Sequence, residues 1–421
     1  MTRNSVPFSA IFSLFFIFTG FTVQGQNELS LQQALQQARQ SNPTLKAETF
    51  SVSKAQTLIT TAKLRPNPVL NNQSLQLMQN GAMAPNTNWY NTQNQQLWWQ
   101  LTKPIQLPVQ RKSKINLAEK SAQFGQNNFA ETQRNVFQQV AYKWLDTWTA
   151  RKHLDLLKLA KSNVDSLVLT NQYRLKNQVI TKTELERTEL LSRQYEVQIM
   201  SLQRLYDNRL NELTFLTGSE APVQPSEADV MLGDLPQNLQ TLLDQSLQNR
   251  SDIKTQQTAV EVSEANGKLQ KAMAYPIPEL GMIYNPQNGI PYLGFYGTIA
   301  LPVFSRNQGE IQKAKLDRQQ ADQVLGSLKT QIKTEVTNAF RSFVTQQQNV
   351  ERYKKLLQQS NAILASVKYA YLKGGTTIID FLEAQRSWLD TQQNYYDTLQ
   401  NYRMSYIDLL YYTGTINQIA Q

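Results

Sequence analysis

The side chains that could do chemistry in this chain are few, and their types exclude most reactions. Cysteine is absent and His153 is the single histidine. Disulfides and thiolate nucleophiles are therefore excluded. A transition-metal site would have to rest almost wholly on carboxylates, which suit hard cations better. His153 falls inside a long helical stretch and reads as an ordinary helix residue. No glycine-rich phosphate loop, nucleophile elbow or metal-ligand cluster occurs, so neither catalysis nor a cofactor is expected. The carboxylates that stand out do so by spacing. Glu184 lies three residues after Thr181, and Asp380 three after Thr377, the signature of a capping box that starts a helix. The two pairs are 196 residues apart, the same offset that separates Gly218 from Gly414.

That offset belongs to a duplication. Leu107-Pro108-Val109 opens a long helical stretch ending at Thr217-Gly218. Leu301-Pro302-Val303 opens a second, ending at Thr413-Gly414. Arg65-Pro66-Asn67-Pro68 precedes the first and Tyr275-Pro276-Ile277-Pro278 the second. A unit of about 200 residues is too long for a solenoid repeat. It reads as a supersecondary unit present twice, with neither half holding a compact core of its own. The expected organisation has residues 1–25 as a secretory leader and residues 26–218 as the first repeat. A linker, 219–236, leads to the second repeat, 237–421. The first repeat holds strands at about 67–79 and 93–105 and a helical hairpin at about 109–217. The second holds strands at about 278–285 and 292–303 and a hairpin at about 307–413.

The leader has Arg3 before an apolar, aromatic run over 6–23, followed by a tolerable cleavage site ahead of Gln26. A retained membrane anchor is the alternative reading of that run. Charged residues make up 18% of the chain and the net charge is +10, but Lys and Arg are scattered without a dense run. A nucleic-acid partner is not expected from such a distribution.

In the expected strands, residues alternate. Leu97, Trp99, Leu101, Lys103 and Ile105 point one way, while Gln96, Trp98, Gln100 and Thr102 point the other, leaving a mostly apolar outer face. Leu293, Phe295 and Ile299 alternate with smaller or polar neighbours in the same manner. Each strand is near the ten residues that a tilted transmembrane strand needs. Leu97, Trp99, Leu101, Leu293, Phe295 and Ile299 are assigned to a lipid face, in keeping with abundant Trp and Tyr nearby. Four strands cannot close a barrel, and an open edge is not tolerated in lipid. Three copies would supply a shared twelve-stranded barrel. The helical stretches carry heptad seams, Ile332, Val336, Ala339, Phe343 and Val350 among them, with polar residues on the other faces. The fold class is thus mainly α with a small β part. An extended periplasmic coiled coil, as an adaptor or fibre without a barrel, remains the competing reading.

The hairpin tips carry a resemblance. The second tip runs Tyr371-Leu372-Lys373-Gly374-Gly375-Thr376-Thr377-Ile378-Ile379-Asp380-Phe381-Leu382-Glu383. Together with the duplication and the paired strands, it resembles the TolC-type outer-membrane efflux proteins. The segment Lys103-Pro104-Ile105-Gln106-Leu107 with Arg111-Lys112 is similar to the branch that serves metal-cation exporters. The resemblance implies a homotrimer in the cell outer membrane, with a periplasmic α-helical tunnel. It implies a passive exit duct docked on a periplasmic adaptor (membrane fusion) protein and an inner-membrane pump, of RND type. It makes Asp380 and Glu383 the periplasmic gate, where threefold symmetry would gather like charges that favour cations. Tyr371, Thr376 and Lys182 stand at positions of the family's latch, and Gly374, Gly375, Lys176 and Asn177 form the tips. Thr376 replaces an arginine and Lys182 an aspartate of the family pattern. Pairing of Lys182 with Asp380 or Glu383 is a conceivable substitute latch.

Overall fold

The computed structural model describes residues 27–227, 238–287 and 290–420. The expected leader and residues 228–236 of the expected linker lie outside them. The N-terminal segment holds β1 (Asn27–Leu29), α1 (Leu31–Ser41) and α2 (Pro43–Lys63). The sequence pattern suggests one helix over this stretch, but it breaks at Asn42. Pro43 lacks the amide hydrogen that would continue the ladder and instead takes the first position of a new helix. Asn42 caps that helix by accepting from the Leu45 amide at 3.0 Å.

The sheet strands are β2 (Val69–Gln76) and β3 (Gln95–Pro104). They lead into the long hairpin α3 (Pro108–Lys176) and α4 (Lys182–Thr217). Within the expected linker, β4 (Val223–Pro225) pairs in parallel with β1, a contact between distant segments that local pattern does not carry. The second repeat follows as α5 (Leu239–Asn249), α6 (Ser251–Met273), β5 (Glu279–Gln287), β6 (Ile290–Thr298), α7 (Gln308–Leu372) and α8 (Ile378–Thr413). A final turn, α9 (Ile416–Ile419), closes the chain. The expected loop over 285–291 is mostly strand, paired as far as Gln287 with Ile290. Leu301-Pro302-Val303 does not open α7 as its counterpart opens α3. Asn307 sits in the left-handed region at φ 59° and donates to the Gln270 carbonyl at 2.8 Å, so the helix starts one residue later. At 1.5 Å per residue, the 69-residue α3 and the 65-residue α7 are each about 100 Å long.

The four strands form one antiparallel sheet in the order β2-β3-β5-β6. Its register aligns Leu70, Leu101, Met282 and Phe295 across the sheet, and next to them Asn72, Trp99, Tyr284 and Leu293. These rows share a face because side chains alternate along each strand. The opposite face shows Asn71, Gln100, Ile283 and Gly294, with Gln73 and Trp98 beyond. The apolar rows are solvent-exposed in the single chain, Phe295 at 92%. Ile299 lies one residue past β6 and is also exposed.

Helices order themselves as α4-α3-α8-α7, with α2 and α6 packed on the sheet-proximal half of α3. The two largest buried clusters join the repeats. One gathers α1, α3 and α8 around Trp144, Phe137 and Tyr406. The other gathers α3, α4, α7 and α8 around Leu157, Tyr195, Phe381 and Trp388. Smaller clusters lie within a single repeat, around Leu242 and Ile332 in the second and around Leu154 and Tyr206 in the first.

A charged network reinforces the join. Arg134 on α3 and Arg250 before α6 are both buried and share Asp252, at 3.3 and 2.5 Å. Arg134 also grips Glu131, at 2.7 Å, and Arg250 grips Glu335 of α7, at 2.6 Å. Burial pushes the Asp252 carboxyl upward, but the Arg250 hydrogen bond and the two guanidinium charges outweigh it and hold it below its ordinary value.

Both hairpins end by the same device. Gly218 and Gly414 terminate α4 and α8 in the left-handed conformation, at φ 65° and 75°. A Cβ on Gly218 would lie 2.2 Å from the Ser41 carbonyl oxygen, and one on Gly414 would lie 2.8 Å from the Arg250 amide nitrogen. Each hairpin therefore seats on the junction of its own repeat's short helices. Asn42 Nδ2 donates to the Leu216 carbonyl at 2.7 Å, and Arg250 Nη1 to the Tyr412 carbonyl at 3.5 Å. Gly218→Ala is expected to cost about 2 kcal/mol or more, combining φ strain with a backbone collision. Gly309→Ala, at a helical position where a Cβ meets nothing, should be neutral or slightly stabilising. Apparent thermal midpoints of the two purified variants check this; equal midpoints would remove the seating role.

Candidate functional site at the hairpin tips

The ends of the hairpins far from the sheet hold the residues singled out by sequence. At the first tip, α3 stops at Lys176 with Asn177 as its cap, and Gln178 takes a left-handed conformation at φ 57°. The Val179 amide reaches back to the Arg174 carbonyl at 2.8 Å. Thr181 then caps α4, and Glu184 returns the bond to the Thr181 amide at 2.7 Å. At the second tip, Gly374 takes the left-handed position at φ 82°, and the Gly375 amide donates to the Ala370 carbonyl at 2.8 Å. Thr377 caps α8 reciprocally with Asp380.

Asp380 is exposed but engaged. Its Oδ2 accepts from the hydroxyls of Thr376 at 2.6 Å and Thr377 at 2.7 Å, and from the Thr377 amide at 3.1 Å. The Thr376 hydroxyl foremost, then the Thr377 donors, hold its pKa below the ordinary carboxylate value. Thr376 thus steadies the Asp380 carboxylate within one tip. Glu383 follows one turn later on the same side of α8. It lines a cleft of about 140 Å³ between α4 and α8 together with Arg187 and Arg386. Lys182 reaches neither acid. Its Nζ pairs with Glu186 one turn along its own helix at 3.3 Å, with both side chains exposed. The substitute latch between Lys182 and Asp380 or Glu383 is therefore absent within the protomer: Lys182 starts α4, where Glu186 is the neighbouring partner that helix spacing supplies.

Tyr371 lies apart from this acidic pair and is buried at 2% exposure. Its hydroxyl donates to Asn171 Oδ1 at 3.0 Å, and Asn171 Nδ2 donates to the Thr188 hydroxyl at 3.0 Å. The Arg174 guanidinium covers the Tyr371 ring at 4.8 Å from its centre and reaches the Tyr371 carbonyl at 3.4 Å. Phe381 packs on the other side, with ring centres 5.7 Å apart. Burial raises the Tyr371 pKa, so the hydroxyl stays a donor. This node clamps α7 to the tip of the first hairpin. Asn171, Arg174 and Thr188 were not marked by sequence reasoning. Asn171 and Arg174 stand one turn apart at the end of α3, but nothing local ties them to a tyrosine 200 residues away.

Duplicated hairpins with helices about 100 Å long, a four-stranded sheet with one apolar exposed face, and capped tips make up a fold shared with solved outer-membrane channels. Residues 242–415 match the family model described as outer membrane efflux protein. The likeness of the whole chain to the solved structures is one of fold. The solved structure of CusC is 18% identical, with a TM-score of 0.76 and 98% of each chain covered. The CmeC outer membrane channel of Campylobacter jejuni is 15% identical, with a TM-score of 0.74 and coverage of 98% of this chain and 94% of that one. The MtrE outer membrane channel of Neisseria gonorrhoeae, in its open state, is 16% identical, with a TM-score of 0.72 and 98% of each chain covered. No curated protein sequence matches the chain.

Tyr371→Phe leaves Asn171 Oδ1 buried without its donor and is expected to cost about 1–2 kcal/mol. Amide exchange should accelerate near 170–176 and 369–375 while the Trp144 region keeps its protection. Unchanged exchange at the tips would show that the clamp does not hold them.

Proposed function

We propose that the chain is one protomer of a homotrimeric exit duct in an efflux system. After removal of residues 1–25, the repeats 26–218 and 237–421 and their link 219–236 make one body. The observation that carries this reading is that the protomer is unfinished on the same two flanks throughout its length. At the sheet, β2 and β6 are unpaired edges. Along the helices, α4 carries exposed Val197 and Met200, and α7 carries exposed Leu316, Val324 and Tyr369. One flank belongs to the first repeat and the other to the second. Joining unlike flanks head to tail generates a closed ring. Three copies supply twelve strands, with Leu97, Trp99, Leu101, Leu293, Phe295 and Ile299 turned to lipid and the polar face to a water-filled lumen.

The helical part then forms a tunnel through the periplasm, and its tips meet an adaptor protein and an inner-membrane pump, which supplies the energy. The duct itself performs no reaction and holds no cofactor. Asp380 and Glu383 gather around the axis at the tips as the gate, beside Arg187 and Arg386, which moderate the field. Lys176, Asn177, Gly374 and Gly375 shape the turns that the adaptor reaches.

Native mass of the protein extracted by detergent from the outer-membrane fraction tests the assembly. A trimer is expected, and Phe295→Arg should reduce the amount inserted, because a charge on the lipid face costs about 2–4 kcal/mol near the midplane. A soluble monomer from the periplasm would overturn the barrel and leave the coiled-coil adaptor or fibre.

For the gate, Asp380→Asn combined with Glu383→Gln should raise resting conductance in planar bilayers and weaken preference for cations. Because the Asp380 pKa is lowered from 3.8, its charge persists above that value and is lost only as pH falls through the lower one. The Asp380 contribution to the preference should persist from neutral pH down through the ordinary aspartate range and fade only below it. Conductance and selectivity unchanged by both substitutions would remove the gate while leaving the duct.

A further inference from the structure

A wide cleft lies away from the tips, where the sheet gives way to the helices. It has a volume of about 660 Å³ and is lined by the turn after α2, the end of β3 and the first turns of α3. Four cations line it, Arg65, Lys103, Arg111 and Lys112, against one carboxylate, Glu119. None of the five forms an ion pair among the described residues. Arg111 Nη2 donates to the Lys63 carbonyl at 3.2 Å, while its Nε is buried and has no hydrogen-bond partner. Three net positive charges are thus held around one concavity without a counter-ion.

The register says what lies beside it. Lys103 continues the alternation of Leu97, Trp99 and Leu101 and pairs with Leu280. It therefore stands at the end of the apolar face, one step beyond Leu101. Ile105, exposed at 40%, also lines the cleft. The basic cleft opens where the apolar face stops.

We propose that this cleft binds the phosphate headgroup of an anionic phospholipid in the periplasmic leaflet, with the acyl chains lying along the Leu101 and Trp99 rows. This rests on the reading of the sheet as part of an outer-membrane barrel. Under that reading, the end of β3 lies at headgroup height, where a lysine stem can run along apolar surface with its ammonium in the interface. Guanidinium groups fit a phosphate through paired, charge-assisted hydrogen bonds, and the orphaned Arg111 Nε is a free donor for one of them. The volume suits a headgroup with the start of its chains. A metal cation does not fit, because four cations to one carboxylate repel it.

The test is native mass spectrometry of the detergent-purified assembly titrated with palmitoyl-oleoyl phosphatidylglycerol. Phosphatidylcholine of the same chains and inorganic phosphate serve as comparators. Arg65→Gln with Lys103→Gln alters two exposed side chains that make no ion pair, and Lys112→Gln is a second, independent variant. Wild type should retain phosphatidylglycerol at least about tenfold more tightly than phosphatidylcholine, and the double variant should lose most of that preference. Equal retention of the two lipids, or a preference that survives both variants, would overturn the site. Displacement of phosphatidylglycerol by inorganic phosphate at equal concentration would make it a small-anion site and overturn the lipid assignment. Dissociation of the variants into monomers, with no lipid preference in wild type, would mean that a neighbouring copy fills the cleft, which also overturns it. A protein absent from the outer-membrane fraction would fail the barrel reading itself, an outcome recorded before any lipid is added.

Discussion

The constraint on which the rest of the structure depends is closure. A four-stranded sheet with an apolar face has two rows of unpaired backbone groups, which lipid does not accept. In a helical layer ordered α4-α3-α8-α7, the outer helices are α4, packed chiefly on α3, and α7, packed on α8 and α6. The difference in burial is plain: α3 buries residues from its first turn to its last, whereas α7, nearly as long, buries only a few. The inner pair, α3 and α8, holds most of the buried helical residues, and the outer pair keeps the exposed surface that the proposed ring would cover. Duplication serves this arrangement because two similar halves offer complementary flanks.

Length makes a second demand. Helices of about 100 Å cannot be held by one central core. The chain spaces its restraints along them. At the base, Gly218 and Gly414 seat the hairpins on the junctions after Ser41 and Asn249, close enough that no side chain fits. In the body, Arg134 and Arg250 share Asp252 across the repeats. At the far end, Tyr371 reaches Asn171 and carries Arg174 on its ring. Buried ion pairs of this kind contribute little net stability against an apolar alternative, but removing one partner is costly. Their value here is register between helices whose heptad seams would tolerate sliding.

At the tips, capping and charge placement use the same atoms. The Asp380 carboxylate that the proposed gate would use is the one that closes the α8 cap, so its orientation is fixed by Thr376 and Thr377. A gate of this kind cannot reorient that charge without opening the first turn of the helix. Glu383 has no such tether and stands beside two arginines in the cleft. The two acids therefore differ in freedom although they lie one turn apart.

The sequence by itself determined what is local or periodic. Capping boxes at Thr181 and Thr377, helix ends at Gly218 and Gly414, alternation around Trp99 and Phe295, and the duplication follow from propensity and spacing within a few residues. The break at Asn42 and the strand over 285–287 escaped that reading, because each depends on a neighbour distant in sequence or on one backbone angle. The pairing of β1 with β4, the charged network and the Tyr371 clamp were decided only by tertiary structure. Each joins residues 85 to 200 positions apart. Polar side chains of this sort look the same in sequence whether they face water or one another. Burial makes the difference, since a donor removed from water must find a partner, and only the fold determines which one is within reach.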